Sequence, residues 1–302
     1  MSEHSKTPCR VIVLVSGDGS NLQAVIDQAP SNNYQVVAVI SNRPDVFALE
    51  RAEIEVSNYF ASEIDKYAIQ VTQKNYPNTK QLGSIVGLKG NDLPKIDLLF
   101  GGSPCQSFSR AGDGTGFDGS SKLFWEFVRV LNEVKPTYFL LENVIMKKEW
   151  EDEITEALGV EPIEIVSDKF VPQKRRRLYW TNIPNVKQPK QKYYDVNDFF
   201  ECEGFPSACN VKREFKRKEI FNTLTATYWK GIRGSGRPAV STEEGFLDDN
   251  REAHRMLTPT ECERLQTVPI GYTDCVSKTQ RYKMLGNGWT IDVIAHIFGG
   301  LK

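Results

Sequence analysis

Short apolar runs recur along the chain, separated by amphipathic or polar stretches and by glycine and proline breaks. Arg10 to Val15 reads as a strand, Ser16 to Asn21 as a glycine loop and Leu22 to Gln28 as a helix. Gln35 to Ile40 is a second strand and Asp45 to Ala52 a second helix. Strand, glycine loop, helix and strand open a doubly wound α/β sheet. The pattern then predicts a short strand at Asn58 to Ala61, a helix at Lys66 to Lys74 and a short strand near Gln81 to Ile85. A buried strand at Ile96 to Phe100 precedes an amphipathic helix at Leu123 to Val134 and another buried strand at Tyr138 to Leu141. Ile163 to Ser167 is a further strand, and Gln173 to Trp180 opens basic and continues as a strand. From Pro184 to about Arg251 the periodicity fades, and aromatic residues interleave with Lys and Arg. A helix restarts at Thr258 to Leu265 with a capping box, Thr258 followed by Glu261. Tyr282 to Leu285 reaches Gly286-Asn287-Gly288, and Thr290 to Phe298 closes the chain as an apolar helix. The expected fold class is α/β, a doubly wound, mostly parallel sheet carrying a small insert.

Composition narrows this only a little. A chain of 302 residues, 40% hydrophobic and 25% charged, suits one large soluble domain or two ordinary ones. No apolar run approaches a membrane span, and Met1 to Pro8 is too short and polar for a secretory signal. Cysteines at 9, 105, 202, 209, 262 and 275 form no CxxC pair, which argues against a zinc site or a disulfide framework and suits a reducing cytoplasm. Charge changes the picture more. The net charge of −1 hides basic crowding in Lys169 to Lys192 and Lys212 to Arg237, a face suited to a polyanion.

Candidate chemistry gathers at strand ends, where open α/β sheets bind their ligands. The run Ile96 to Phe100 breaks at Gly101-Gly102 into a loop carrying Pro104 and Cys105, a mount for a nucleophilic thiol; a buried structural cysteine is the plain alternative. The next buried strand ends in Glu142-Asn143-Val144, so a carboxyl group reaches the same edge; surface capping by Glu142 is the alternative. Alternation along a strand groups Gln173, Arg175 and Arg177 on one face, and arginine forks suit phosphate or carboxylate. Glu63 sits where such folds bind a ribose, and Asp65 reads as a helix cap. Gly112 to Ser121 reads as a mobile glycine-rich loop.

Over roughly Ala48 to Leu301 these residues resemble the DNA cytosine-5 methyltransferases. Gly102-Ser-Pro-Cys105-Gln resembles their nucleophile loop, Glu142-Asn-Val their base-protonating segment, and Gln173, Arg175 and Arg177 their Gln-x-Arg-x-Arg strand. Arg255 to Gln266 and Gly286-Asn287-Gly288-Trp289 resemble the two elements that follow their target-recognition insert. The resemblance implies a sheet of the S-adenosylmethionine-dependent methyltransferase type and methyl transfer to carbon 5 of a flipped-out cytosine in double-stranded DNA. It assigns catalytic roles to Cys105, Glu142, Arg175 and Arg177. It places S-adenosylmethionine against Glu63, Ile64, Ile85, Pro104, Leu123, Asn287 and Gly288. It calls for no metal and no membrane, with a monomer as the default, in the cytoplasm of a bacterial or phage-infected cell.

One element of that family is missing. Its Phe-x-Gly-x-Gly turn should lie about twenty residues before Glu63, where this chain has Val39-Ile40-Ser41-Asn42-Arg43-Pro44. The residues around it, about 9–52, resemble instead the start of phosphoribosylglycinamide formyltransferase, especially Ser16 to Leu22 and Val39 to Arg43. The two likenesses imply a natural or engineered chimera. It would have a formyltransferase-like start at 1–52, a catalytic core at 53–183, a target-recognition insert at 184–254 and a return to the core at 255–302. A methyltransferase-like DNA-binding protein with impaired cosubstrate binding is the second reading. A formyltransferase of purine synthesis is a remote third, because that family's downstream Asn, His and Asp motif is absent.

Overall fold

The computed structural model describes residues 35–36, 55–56, 58–103, 123–201, 221–231, 240–242, 246–247 and 253–301. The expected elements at Arg10 to Gln28 and Asp45 to Ala52, the window Val39 to Pro44, the loop residues Pro104 and Cys105 and the Gly112 to Ser121 loop lie outside them.

Two short parallel pairs open the described chain. β1 (Gln35–Val36) pairs with β2 (Glu55–Val56), and β3 (Phe60–Ala61) pairs with β4 (Lys80–Gln81) across the helix α1 (Lys66–Asn75). Asp65 caps α1, its side chain accepting from the Tyr67 amide. Burial alone would push this carboxyl group up; the Tyr67 amide and Lys283 outweigh it and hold it below its ordinary range.

β5 (Leu98–Gly102), α2 (Leu123–Val134), β6 (Tyr138–Val144), α3 (Lys148–Leu158), β7 (Ile163–Val166), β8 (Gln173–Lys174) and β9 (Arg176–Thr181) form the centre. Four of these strands make one sheet in the order β5-β6-β9-β7. β5 and β6 are parallel, while β9 runs against both of its neighbours. Every residue of β5 is buried, as expected of a strand covered on both faces.

Period-two alternation divides the core. Leu98, Phe100, Leu140 and Tyr179 face one apolar cluster; Leu99, Phe139, Leu141, Leu178 and Trp180 face the other. The second cluster is filled by Phe124, Phe127 and Val130 of α2 and by Ile154 and Leu158 of α3. The first is filled by the C-terminal helices α4 (Pro259–Leu265), α5 (Lys278–Asn287) and α6 (Ile291–Phe298), together with Ala68 and Val71 of α1. A sheet with helices on both faces is the doubly wound α/β arrangement that the pattern predicts.

Three differences from the sequence expectation matter. The strand predicted at 96–100 lies two residues later and carries both glycines into the sheet. The single strand predicted at Gln173 to Trp180 is split at Arg175, because β8 leaves the main sheet to pair with β10 (Phe221–Asn222). The short strand predicted near Gln81 to Ile85 is only Lys80–Gln81, and Gly286 and Asn287 form the last turn of α5. Three more short strands, β11 (Val240–Thr242), β12 (Phe246–Leu247) and β13 (Ala253–Arg255), form an antiparallel sheet. The chain then enters α4 through the capping box of Thr258 and Glu261.

Candidate active site

Parallel pairing of β5 with β6 sets Gly102 opposite Glu142. β5 therefore ends beside this carboxyl group; Cys105, three residues further along the sequence than Gly102, lies outside the described residues. Glu142 is 8% exposed and both of its oxygens are engaged. Arg177 Nε lies 2.7 Å from Oε1, and Trp289 Nε1 donates to Oε2 at 2.8 Å. Tyr179, opposite Glu142 on β9, backs the group. Burial, and then the Glu142 charge, push the Tyr179 phenol well up, so it stays neutral. A Cβ at Gly102 would stand 3.1 Å from Glu142 Oε2, tighter than ordinary contact, and 3.5 Å from Trp289 Nε1.

The start of the loop is anchored by a contact the sequence did not single out. Asn143 Nδ2 donates to Ser103 Oγ at 2.7 Å, and Asn143 Oδ1 accepts from the Val144 amide at 2.8 Å. Its signal was present in the Glu142-Asn143-Val144 string, where the asparagine follows the acid directly.

The Gln-x-Arg-x-Arg residues divide their work. Arg177 faces Glu142, whereas Arg175 is buried and donates to the carbonyls of Leu224, Gly286 and Asn287. Gln173, also buried, accepts from the Leu224 amide at 3.0 Å and donates to the Leu265 carbonyl at 3.1 Å. Both polar backbone groups of Leu224 are thus held by β8 and the residue after it. The structure brings Arg177 to the carboxyl group and places Arg175 at a clamp between the insert and α5. Gly286 completes the clamp, because a Cβ there would lie 2.1 Å from the Thr225 carbonyl.

Beside this region Val144, Ile145, Lys174, Arg176, Arg177 and Thr223 line an open cavity of about 440 Å³. Arg176 is paired with Glu164 at 2.8 Å, and Arg177 is paired with Glu142. The Lys174 ammonium makes no hydrogen bond or ion pair with any other described residue, and it places a cation on the cavity wall.

In the separate parallel pair, the ends of β3 and β4 stand together. Ser62 Oγ donates to the Gly83 carbonyl at 2.8 Å. Glu63 is buried, and its Oε1 accepts from the Ile64 and Asp65 amides, both at 2.7 Å. Ile64, 76% exposed, projects an apolar side chain next to that fixed carboxylate. Arg129 of α2 donates to the Ile85 carbonyl at 3.0 Å, which ties the β4 loop to the helix that starts at Leu123. Lys283 of α5 reaches Asp65 at 3.3 Å. An immobilised carboxylate beside an exposed apolar face fits an adenosine, the acid for ribose hydroxyls and the apolar surface for a purine.

The match to known families decides what this arrangement is. The family described as C-5 cytosine-specific DNA methylase matches residues 46–157 and 190–302. The chain belongs to the C-5 cytosine-specific DNA methylases. This methylase is 30% identical over 287 residues to the Type II methyltransferase M.NlaX of Neisseria lactamica, covering 84% of this chain and 91% of that one. It is 29% identical over 285 residues to the Type II methyltransferase M1.ScrFI of Lactococcus lactis subsp. cremoris, covering 80% and 70% respectively. Its fold resembles the S. pombe Dnmt2 methyltransferase, with a TM-score of 0.62 at 19% identity over 86% of this chain and 96% of that one. It also resembles a putative DNA modification methyltransferase encoded within an E. coli prophage, with a TM-score of 0.59 at 20% identity over 97% and 98%. A second family, described as formyl transferase, matches residues 9–82, so the two matches overlap over 46–82. The methylase transfers a methyl group from S-adenosylmethionine to carbon 5 of cytosine in DNA. No helix among its described residues is long and apolar enough to cross a membrane.

Neither described cysteine of the methylase suits nucleophilic attack. Burial pushes the Cys262 thiol far up, and the neighbouring Glu261 and Glu263 push it further. Burial also raises Cys275, against the opposing charge of Lys74. A thiol held in its neutral form is a poor nucleophile.

Proposed function

We propose that the methylase acts on a cytosine flipped out of double-stranded DNA, with Cys105 as nucleophile and Glu142 as the group that holds and protonates ring nitrogen N3. The supporting observation is the register of β5 on β6, which sets the end of β5, three residues before Cys105 in the sequence, beside Glu142. Cytosine carbon 5 is not nucleophilic until something adds to carbon 6. The Cys105 thiolate forms a bond to carbon 6, Glu142 gives its proton to N3, and the electron pair shifts toward carbon 5. S-adenosylmethionine supplies the methyl group taken up there. Loss of the carbon 5 proton to solvent then restores the ring double bond and expels the thiolate, the N3 proton returns to Glu142, and S-adenosylhomocysteine is the second product. Arg177 orients the Glu142 carboxyl group and neighbours the base oxygen, with Arg175 acting behind it through the clamp.

Glu63 would bind the ribose hydroxyls, with Ile64, Ile85, Pro104, Leu123, Asn287 and Gly288 around the cosubstrate. The base cannot react inside a stacked duplex, so it must be extruded. We take the protein to act as a monomer in the cytoplasm of a bacterial or phage-infected cell. We take its start, about 1–52, as formyltransferase-like, its core as 53–183, its target-recognition insert as 184–254 and its return as 255–302. The second reading, a chimera that binds DNA with impaired cosubstrate binding, is favoured by the glycine-free window Val39 to Pro44.

Incubation with labelled S-adenosylmethionine and duplex DNA should label cytosine, and Cys105→Ala should abolish the label. A wild-type protein that shifts DNA on a gel but transfers nothing would establish the second reading instead. The charge in the β6–β8 cavity gives an independent prediction. Lys174→Gln should lower DNA affinity about equally for all sequences and reduce the slope of log affinity against log salt by about one, as loss of one phosphate contact requires. An unchanged slope would remove Lys174 from the DNA path.

A further inference from the structure

The reaction as set out uses Glu142 and its pairing with Arg177, but not the side chain on the second oxygen. Trp289 donates its indole N–H to Glu142 Oε2 at 2.8 Å and is itself 2% exposed. We infer that Trp289 is a positioning residue for the Glu142 carboxyl group, fixing the plane in which that group meets the ring of the target cytosine. The inference rests on the proposed role of Glu142.

The physical case has three parts. A carboxyl group rotates about its last bond unless both oxygens are held, and here a donor-only partner sits on each: Arg177 Nε on Oε1 and Trp289 Nε1 on Oε2. Each oxygen keeps a further lone-pair position, so the pinned carboxyl group can still share a proton with a base. Second, the indole is itself rigid. Its ring packs on Phe100 with centroids 5.9 Å apart. The backbone on either side is tied down, the Gly288 amide to Met284 at 2.8 Å and the Ile291 amide to Gln266 at 3.0 Å. Thr290 Oγ1 bonds Gln266 Oε1 at 3.0 Å. Third, the end of β5 is fitted closely to this pair, since a Cβ at Gly102 would lie 3.1 Å from Glu142 Oε2, closer than ordinary contact, and 3.5 Å from Trp289 Nε1. A group that must meet a substrate within a few tenths of an ångström gains from supports that do not move.

A buried tryptophan also needs a partner for its N–H, so packing alone is the competing account. Trp289→Phe separates the two, because it keeps a ring against Phe100 and deletes the donor. Turnover should fall roughly tenfold, the scale of a lost hydrogen bond to a charged group. The KM for S-adenosylmethionine and the Kd for duplex DNA should stay close to wild type, while the thermal unfolding midpoint falls modestly because a buried hydrogen bond is lost. Trp289→His, which restores a ring N–H, should recover part of the turnover.

A double-mutant cycle with Glu142→Gln, read by single-turnover methylation, completes the test. Trp289→Phe should add little to Glu142→Gln. Unchanged turnover in Trp289→Phe, or an equal loss in both backgrounds, overturns the positioning role and leaves Glu142 in place. Full activity in Glu142→Gln alone overturns the role of Glu142, a separate failure.

Discussion

Gly286→Ala is expected to disable sequence-specific methylation while the sheet itself still folds. The added methyl carbon would sit 2.1 Å from both the carbon and the oxygen of the Thr225 carbonyl and 2.5 Å from the Ala226 nitrogen. These are backbone atoms, which cannot turn aside as the end of a side chain can. The insert region must therefore move off α5, and the bonds that cross the same seam go with it: Arg175 to Leu224 at 3.1 Å and Gln173 to the Leu224 amide at 3.0 Å. Overpacking of this kind costs about 1–3 kcal/mol or more, and buried groups left without their bonds add to it. Methylation of cognate DNA should drop by at least about a hundredfold, with a lowered urea midpoint, consistent with losses above 2.7 kcal/mol at 1.36 kcal/mol per decade. Cognate DNA binding at wild-type strength would show that the close approach at Gly286 has no consequence.

Arg177→Met should be the most damaging change at the chemical centre that leaves the backbone intact. It removes the cation from a pair whose side chains are 13% and 10% exposed, and leaves Glu142 with Trp289 as its described partner. Breaking a buried pair from one side costs about 3–5 kcal/mol, because the remaining charge is stranded. Stability at neutral pH should fall by an amount of that order, and turnover with it. The cause can be isolated. Arg177→Met combined with Glu142→Gln should be more stable than Arg177→Met alone, since the stranded charge is gone. Urea unfolding of the four proteins in this cycle measures the effect, and additivity within error would mean the pair contributes nothing.

Much of this was legible from residue order. The all-apolar run into Gly101-Gly102, the helix at Leu123–Val134 and the capping box at Thr258 each depend on local rules, and the structure places them within two residues of expectation. The end of β5 beside Glu142 was readable too, because consecutive parallel strands deliver their ends to one edge. The helix Lys148–Leu158 was not, since only Ile154 and Leu158 of its eleven residues are buried and its apolar stripe is correspondingly thin.

What residue order alone determined is the layered α/β scaffold and which side chains stand at the ends of its strands, because periodicity and strand termini are properties of neighbours in the chain. Tertiary structure decided how those groups are divided. Arg175 and Arg177 lie two residues apart with identical side chains, yet one holds three backbone carbonyls and the other a carboxylate. Trp289, 147 residues from Glu142, becomes the partner of its second oxygen. Such assignments depend on which buried donors meet which buried acceptors once distant segments pack together, and no local pattern encodes that.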